Sequence, residues 1–115
     1  MFPQFPVPEK LGNMVNIATH MVRGALDAFV NLDVKSARRI LQMDANVDAL
    51  NVEIILELQE LMKSDSNTVE PSLHCFSASR HIERIADHAT NIAEDVVYLV
   101  EGEIVRHRVE MDFPP

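Results

Sequence analysis

Pro71 is the one proline between Glu9 and Asp112, and the other five (Pro3, Pro6, Pro8, Pro114 and Pro115) stand at the two ends of the chain. Proline breaks a helix interior by removing an N–H and clashing with the preceding turn. Its placement here leaves two long stretches free for helix. Pro71 itself fits a first helical turn, where the missing N–H costs nothing. Apolar residues recur at helical spacing throughout, and no stretch alternates as a half-buried strand would.

The spacing predicts three helices. The first runs from about Glu9 to Val30, with Met14, Ile17, Met21, Ala25, Ala28 and Phe29 on one face. Asn31, Leu32 and Asp33 make a tight connection, in which Asp33 can cap the next helix. The second helix runs from about Val34 to Lys63, and the turn-rich run from Ser64 to Thr68 ends it. The third starts near Val69 to Pro71 and runs to about Glu101, with Gly102 as its stop or kink. Short connections make successive helices antiparallel neighbours. The expected fold is all-α, an elongated up-down-up three-helix bundle. Its domain spans residues 9–107, between a Pro-rich lead-in at 1–8 and a tail at 108–115.

Composition narrows the function. The 115 residues carry 18 acidic and 10 basic side chains, a formal charge of −8. Binding to a phosphate backbone rests on Lys and Arg, so nucleic acid is a poor partner, as is an anionic lipid surface. No apolar run approaches the roughly 18 residues of a spanning helix. Carboxylates in surplus suit hard cations. The lone Cys75 reads as a small buried hydrophobe.

Two sets of acids do not fit a plain bundle. In the second helix the apolar stripe of Ala37, Ile40, Leu41, Val47, Ile55, Leu58 and Met62 also contains Asp44, Asp48 and Asn51. A carboxylate within such a stripe must be paired, neutralised or bound to a metal. Pairing with Arg38, Arg39 or His20 is one alternative; a cation held between Asp44 and Asp48 is the other. In the third helix the seam reads Ala78, Ile82, Ile85, Ala89, Ile92, Val96 and Leu99. Opposite it runs a polar row of Arg80, Glu83, Asp87, Asn91 and Glu94. Glu83 and Asp87 lie one turn apart and repel mildly, which a bound cation would relieve. A solvated face, with Arg80 and Arg84 as ion-pair partners, accounts for the same residues. Two acid pairs on neighbouring helices would supply four carboxylates, enough for a multinuclear cation site. That requires the third helix to turn its polar face toward the second helix or toward another subunit. His81 and His88 are spaced too far apart for a shared ligand pair. No Glu-x-x-His motif occurs, so a catalytic di-metal carboxylate enzyme is the weakest reading. A structural helical module without metal is the other alternative.

The stretch from Ser79 to His107, SRHIERIADHATNIAEDVVYLVEGEIVRH, resembles the carboxy-terminal signature of the PhoU family of phosphate-transport regulators. ALDAFVNLD (25–33) and DANVDAL (44–50) resemble the same family's repeat, and the resemblance extends from Leu11 to His107. It implies an all-α, non-enzymatic regulator whose Glu/Asp-x-x-x-Asp motifs bind iron or zinc clusters. Those motifs map onto Glu83 with Asp87 and Asp44 with Asp48, and Asn91 and Glu94 sit in the matching continuation. It also implies a cytoplasmic adaptor, peripheral to the membrane, that restrains the phosphate ABC transporter and its sensor histidine kinase. Family members usually carry two such repeats; this chain matches the second, and the unpaired repeat is expected to form a homodimer.

Overall fold

The structure, a computed structural model, describes residues 5–112, and the side chains of residues 5–102. The first four residues of the expected lead-in and the last three of the expected tail lie outside the described residues, as do the side chains of the rest of the tail. Three helices follow one another: α1 Glu9–Asn31, α2 Val34–Ser64 and α3 Val69–Asp112, with a single 3-10 turn at Ser66–Thr68. Each helix packs on both others, in a rod of 73 × 20 × 17 Å. No helix among the described residues is long and apolar enough to cross a membrane.

The connections follow from their residues. Leu32 adopts a left-handed conformation, φ 50° and ψ 43°, at the end of α1. Its N–H donates to the Phe29 carbonyl and that of Asp33 to the Ala28 carbonyl, the pattern that closes a helix with a left-handed residue. Asp33 then caps α2, accepting from the Ser36 N–H at 3.1 Å and the Ser36 hydroxyl at 2.7 Å. One residue thus ends the first capping motif and starts the second, which turns the chain back on itself in two residues. At the far end the Thr68 hydroxyl donates to the Leu61 and Asp65 carbonyls. This satisfies acceptors that the end of α2 would otherwise leave open.

The core is aliphatic: Met14, Ala18, Met21, Ala25 and Ala28 from α1, and Ala37, Ile40, Val47, Ile54 and Leu58 from α2. From α3 come Cys75, Ala86, Ala89, Ala93 and Val96, with Ser72 and Ser79 buried among them. Burial raises the pKa of the Cys75 thiol.

Three expectations need correction. The seam of α3 is centred on small residues; Ala89 and Val96 belong to it, but Ile85 and Leu99 are 45% and 53% exposed. Alanines at the centre let α3 approach both neighbours closely, and the bulkier aliphatics move to its flank. Phe29 is likewise 47% exposed rather than buried in the stripe of α1. Third, α3 neither stops nor turns at Gly102 but continues to Asp112. Gly102 has a negative φ, and one glycine in a helix costs only about 1 kcal/mol.

Candidate functional site

The shift of the α3 seam onto Ser79, Ala86 and Ala93 brings its polar row against α2. The helices run antiparallel, and Asp48 of α2 meets Glu83 of α3. Asp44 and Asp87 lie one turn further along, close enough for each charge to act on the other. Asp44, Glu83 and Asn51 are half-buried, while Asp48 and Asp87 are exposed. Both expected acid pairs therefore belong to one α2–α3 groove.

Their electrostatics follow from this crowding. Burial raises the pKa of the Asp44 carboxyl, and the charges of Asp48 and Asp87 raise it further. Burial raises that of Glu83 first, followed by the charge of Asp48, a hydrogen bond to Asp48, and the charges of Asp87 and Asp44. Two oxygens lack partners altogether: Oδ1 of Asp44 and Oδ1 of Asn51 are buried without a hydrogen bond. An unsatisfied buried acceptor costs about 1–3 kcal/mol.

None of the ion pairs among the described residues neutralises the groove. They join Lys10 to Glu53, Arg38 to Glu101 and Lys63 to Glu60. Arg38 is thereby engaged elsewhere, while His20 and Arg39 line a cavity between α1 and α2. The pairing of Asp44 and Asp48 with these three residues does not form. Arg80 and Arg84 are exposed and make no such pair either.

The donor set suits a hard cation in its chemistry: four carboxylates and one amide oxygen, two of these oxygens without partners. It is not a closed cage. Among the described residues, no three His, Cys, Asp or Glu side chains converge as a ready ligand set. Asn91 and Glu94 are exposed further along α3, where Glu94 lines a groove with Leu41, Val97 and Tyr98. His81 and His88 are exposed. Asn51 stood on the apolar stripe of α2 in the sequence but carried no assigned role. Its position three residues after Asp48 and seven after Asp44 was the signal for it.

Residues 11–96 match the family model described as PhoU domain. The chain belongs to the PhoU family. A PhoU relative from Xylella fastidiosa (strain 9a5c), named phosphate-specific transport system accessory protein PhoU homolog, is 34% identical over 101 residues. That alignment covers 88% of this chain and 43% of the relative. A relative of the same name from Pseudomonas aeruginosa is 44% identical over 87 residues, 76% of this chain and 36% of its own length. One from Zymomonas mobilis is 36% identical over 103 residues, 90% of this chain and 42% of its own. The chain thus spans less than half the length of these PhoU relatives. They carry the names of accessory proteins, not of enzymes, and the catalytic di-metal reading is set aside.

Proposed function

We propose that this chain is a non-catalytic regulator of phosphate uptake, in which the α2–α3 groove holds a cation. The reading of regulation is supported by relatives named as accessory proteins of phosphate-specific transport. The cation reading is supported by a single arrangement: Asp44, Asp48, Glu83 and Asp87 gathered without a basic partner, beside the unpartnered oxygens of Asp44 and Asn51. Exposed Asp48 and Asp87 have room to reorient around an ion; half-buried Asp44 and Glu83 form the floor. Asn91 and Glu94 extend the row along α3. An all-oxygen donor set favours hard metals, and of the two metals that the resemblance names, iron over zinc. A bound cation would offset the repulsion among these carboxylates and tie α2 to α3, giving the bundle one stiff face.

On this reading the regulator works in the cytoplasm, at the membrane only through its partners. Those partners are the phosphate-specific ABC transporter and its sensor histidine kinase, which it restrains. The test is a pull-down of purified transporter and kinase components by the metal-loaded chain, beside phosphate-uptake rates in cells that lack their own regulator. Capture of either component, with slower uptake when the chain is supplied, is the expected result. Neither capture nor any change in uptake would remove the regulatory reading. Loss of capture by Glu83→Gln/Asp87→Asn would link the groove to docking.

A further inference from the structure

The α2–α3 groove changes character along its length. At Asp44, Asp48, Glu83 and Asp87 it is acidic. Toward the start of α2 it becomes apolar. Leu41 of α2 and Val97 and Tyr98 of α3 line a groove of about 580 Å³, with Glu94, Glu101 and Gly102 along its α3 edge. The Arg38–Glu101 ion pair crosses from helix to helix and closes the far end. Leu41 and Val97 are half-buried, whereas Tyr98 is 81% exposed.

Gly102 gives an independent sign that something outside the chain comes close here. Glycine is the least favourable residue in a helix interior after proline, yet Gly102 lies well inside α3. Gly24 is explained by Ile40 packed against it, but a Cβ at Gly102 would meet no neighbouring side chain or helix within 4 Å. Nothing in the bundle requires the glycine. A glycine that lines an open groove lets another backbone approach it closely.

The residues around it select what that backbone carries. The exposed ring of Tyr98 offers a face that attracts a cation, and tyrosine is among the residues that dominate contact surfaces. Glu94 is exposed and has no basic partner among the described residues, while Arg38, the base at this groove, is committed to Glu101. Asp87, Glu94 and Glu101 follow one another at seven-residue intervals. A helix laid alongside presents its own side chains at that spacing. An acidic segment is repelled here, as is a second copy of this chain with its charge of −8.

The geometry points to a docking site for a basic amphipathic helix of a partner protein. An apolar side chain of that helix sits among Leu41, Val97 and Tyr98, and its backbone passes over Gly102. Lys or Arg on its borders reaches Glu94 and the Tyr98 ring. This deepens the docking role proposed above and rests on it, but it does not require the cation.

The probe is a synthetic helix of about 18 residues of Leu, Lys and Ala, with Leu on one face and Lys along its borders. Tyr98 is the single tyrosine and the chain has no tryptophan, so tyrosine emission of the 115-residue protein reports the groove itself. A saturable change with a Kd of about 10–100 µM is expected, unchanged by chelator. Peptides with Glu for Lys, or with Ser for Leu, are expected to bind about tenfold more weakly or worse. Gly102→Leu, which fills the groove, and Glu94→Lys are each expected to weaken binding by about tenfold or more, with unchanged helical circular dichroism. Gly12→Leu, at an equally open glycine of α1, and Glu57→Lys, beside the α1–α2 groove, are expected to bind as the wild type does.

Equal binding of the Glu or Ser peptide would overturn the proposal, and so would equal binding by all four variants. So would emission that responds to dilution of the protein alone and not to peptide, which would seat a second copy in the groove. Capture of transporter or kinase components without any peptide binding would sink this site and leave the regulatory reading. Peptide binding with the expected variant pattern, but without capture, would do the reverse.

Discussion

Glu83 of α3 and Asp48 of α2 face each other across the helix seam, close enough that, with burial, the Asp48 carboxylate holds the Glu83 pKa above its ordinary value. Carboxylates this close repel unless a proton or a cation stands between them, so the contact is a place that a cation can occupy. This relationship sets the energetics of the groove. Without cation or proton, four carboxylates stand beside the unpartnered amide oxygen of Asn51, and the folded state bears their repulsion.

Mild acidification is therefore predicted to stabilise the metal-free protein. Asp44 and Glu83 have folded-state pKa values raised above their ordinary 3.8 and 4.5. The folded state binds protons more readily than the unfolded chain, and stability falls as pH rises through the raised values. The gain sets in as pH drops through them and is complete below the ordinary ones. Asp33 acts oppositely: its pKa is lowered chiefly by the Ser36 hydroxyl, and its contribution is lost as pH falls through that lowered value. Melting of chelator-treated protein is expected to show a Tm that rises as the pH is lowered from neutral toward the ordinary values of 3.8 and 4.5. A flat or falling Tm over that range contradicts this account.

Glu83→Gln is predicted to raise the stability of the metal-free protein at neutral pH and to weaken the acid response. The amide can donate to the Asp48 carboxylate and removes one charge. The gain is small, about 0.5–1 kcal/mol, because water screens a half-exposed cluster. Denaturation in urea measures it, and a loss of stability would place Glu83 in a favourable contact not described above.

Leu32→Gly is predicted to stabilise by about 0.5–1 kcal/mol. A left-handed conformation costs a non-glycine residue about 1–2 kcal/mol, part of which glycine returns through its looser unfolded chain. Leu32 is 54% exposed, so little burial is lost. An unchanged or lower midpoint in urea would show that its side chain contributes to the hairpin.

Gly24 and Ile40 are predicted to be coupled. A Cβ on Gly24 would stand 2.6 Å from Cδ1 of Ile40, so Gly24→Val overpacks the α1–α2 contact and costs about 1–3 kcal/mol. Ile40→Val removes that Cδ1 and alone costs about 0.5–1.5 kcal/mol. In the Gly24→Val background its cost should shrink or reverse, and strict additivity in a double-mutant cycle would refute the contact.

Where the sequence was legible, strong local signals agreed with one another. Pro8 and Glu9, Leu32 and Asp33, and the Ser64–Thr68 run mark every connection, and the helix ends at Asn31 and Ser64 fall within a residue of the sequence reading. The seam of α3 was less legible because Ile85 and Leu99 outweigh Ala86 and Ala93 in hydrophobicity. Close packing prefers the small residues at the centre of three helices. That error also concealed how the groove forms. With Ile85 taken as core, Glu83 and Asp87 pointed away from α2; with Ala86 as core, they border it. Gly102 misled for a different reason, since a helix ends at glycine only where the chain takes a left-handed turn.

The cation claim is tested most directly by metal content in protein purified without a metal-chelating tag, measured for wild type beside Glu83→Ala/Asp87→Ala. The account predicts about one or more metal ions per wild-type chain and few or none in the variant, with both equally helical. Equal, substoichiometric metal in the two proteins would contradict it.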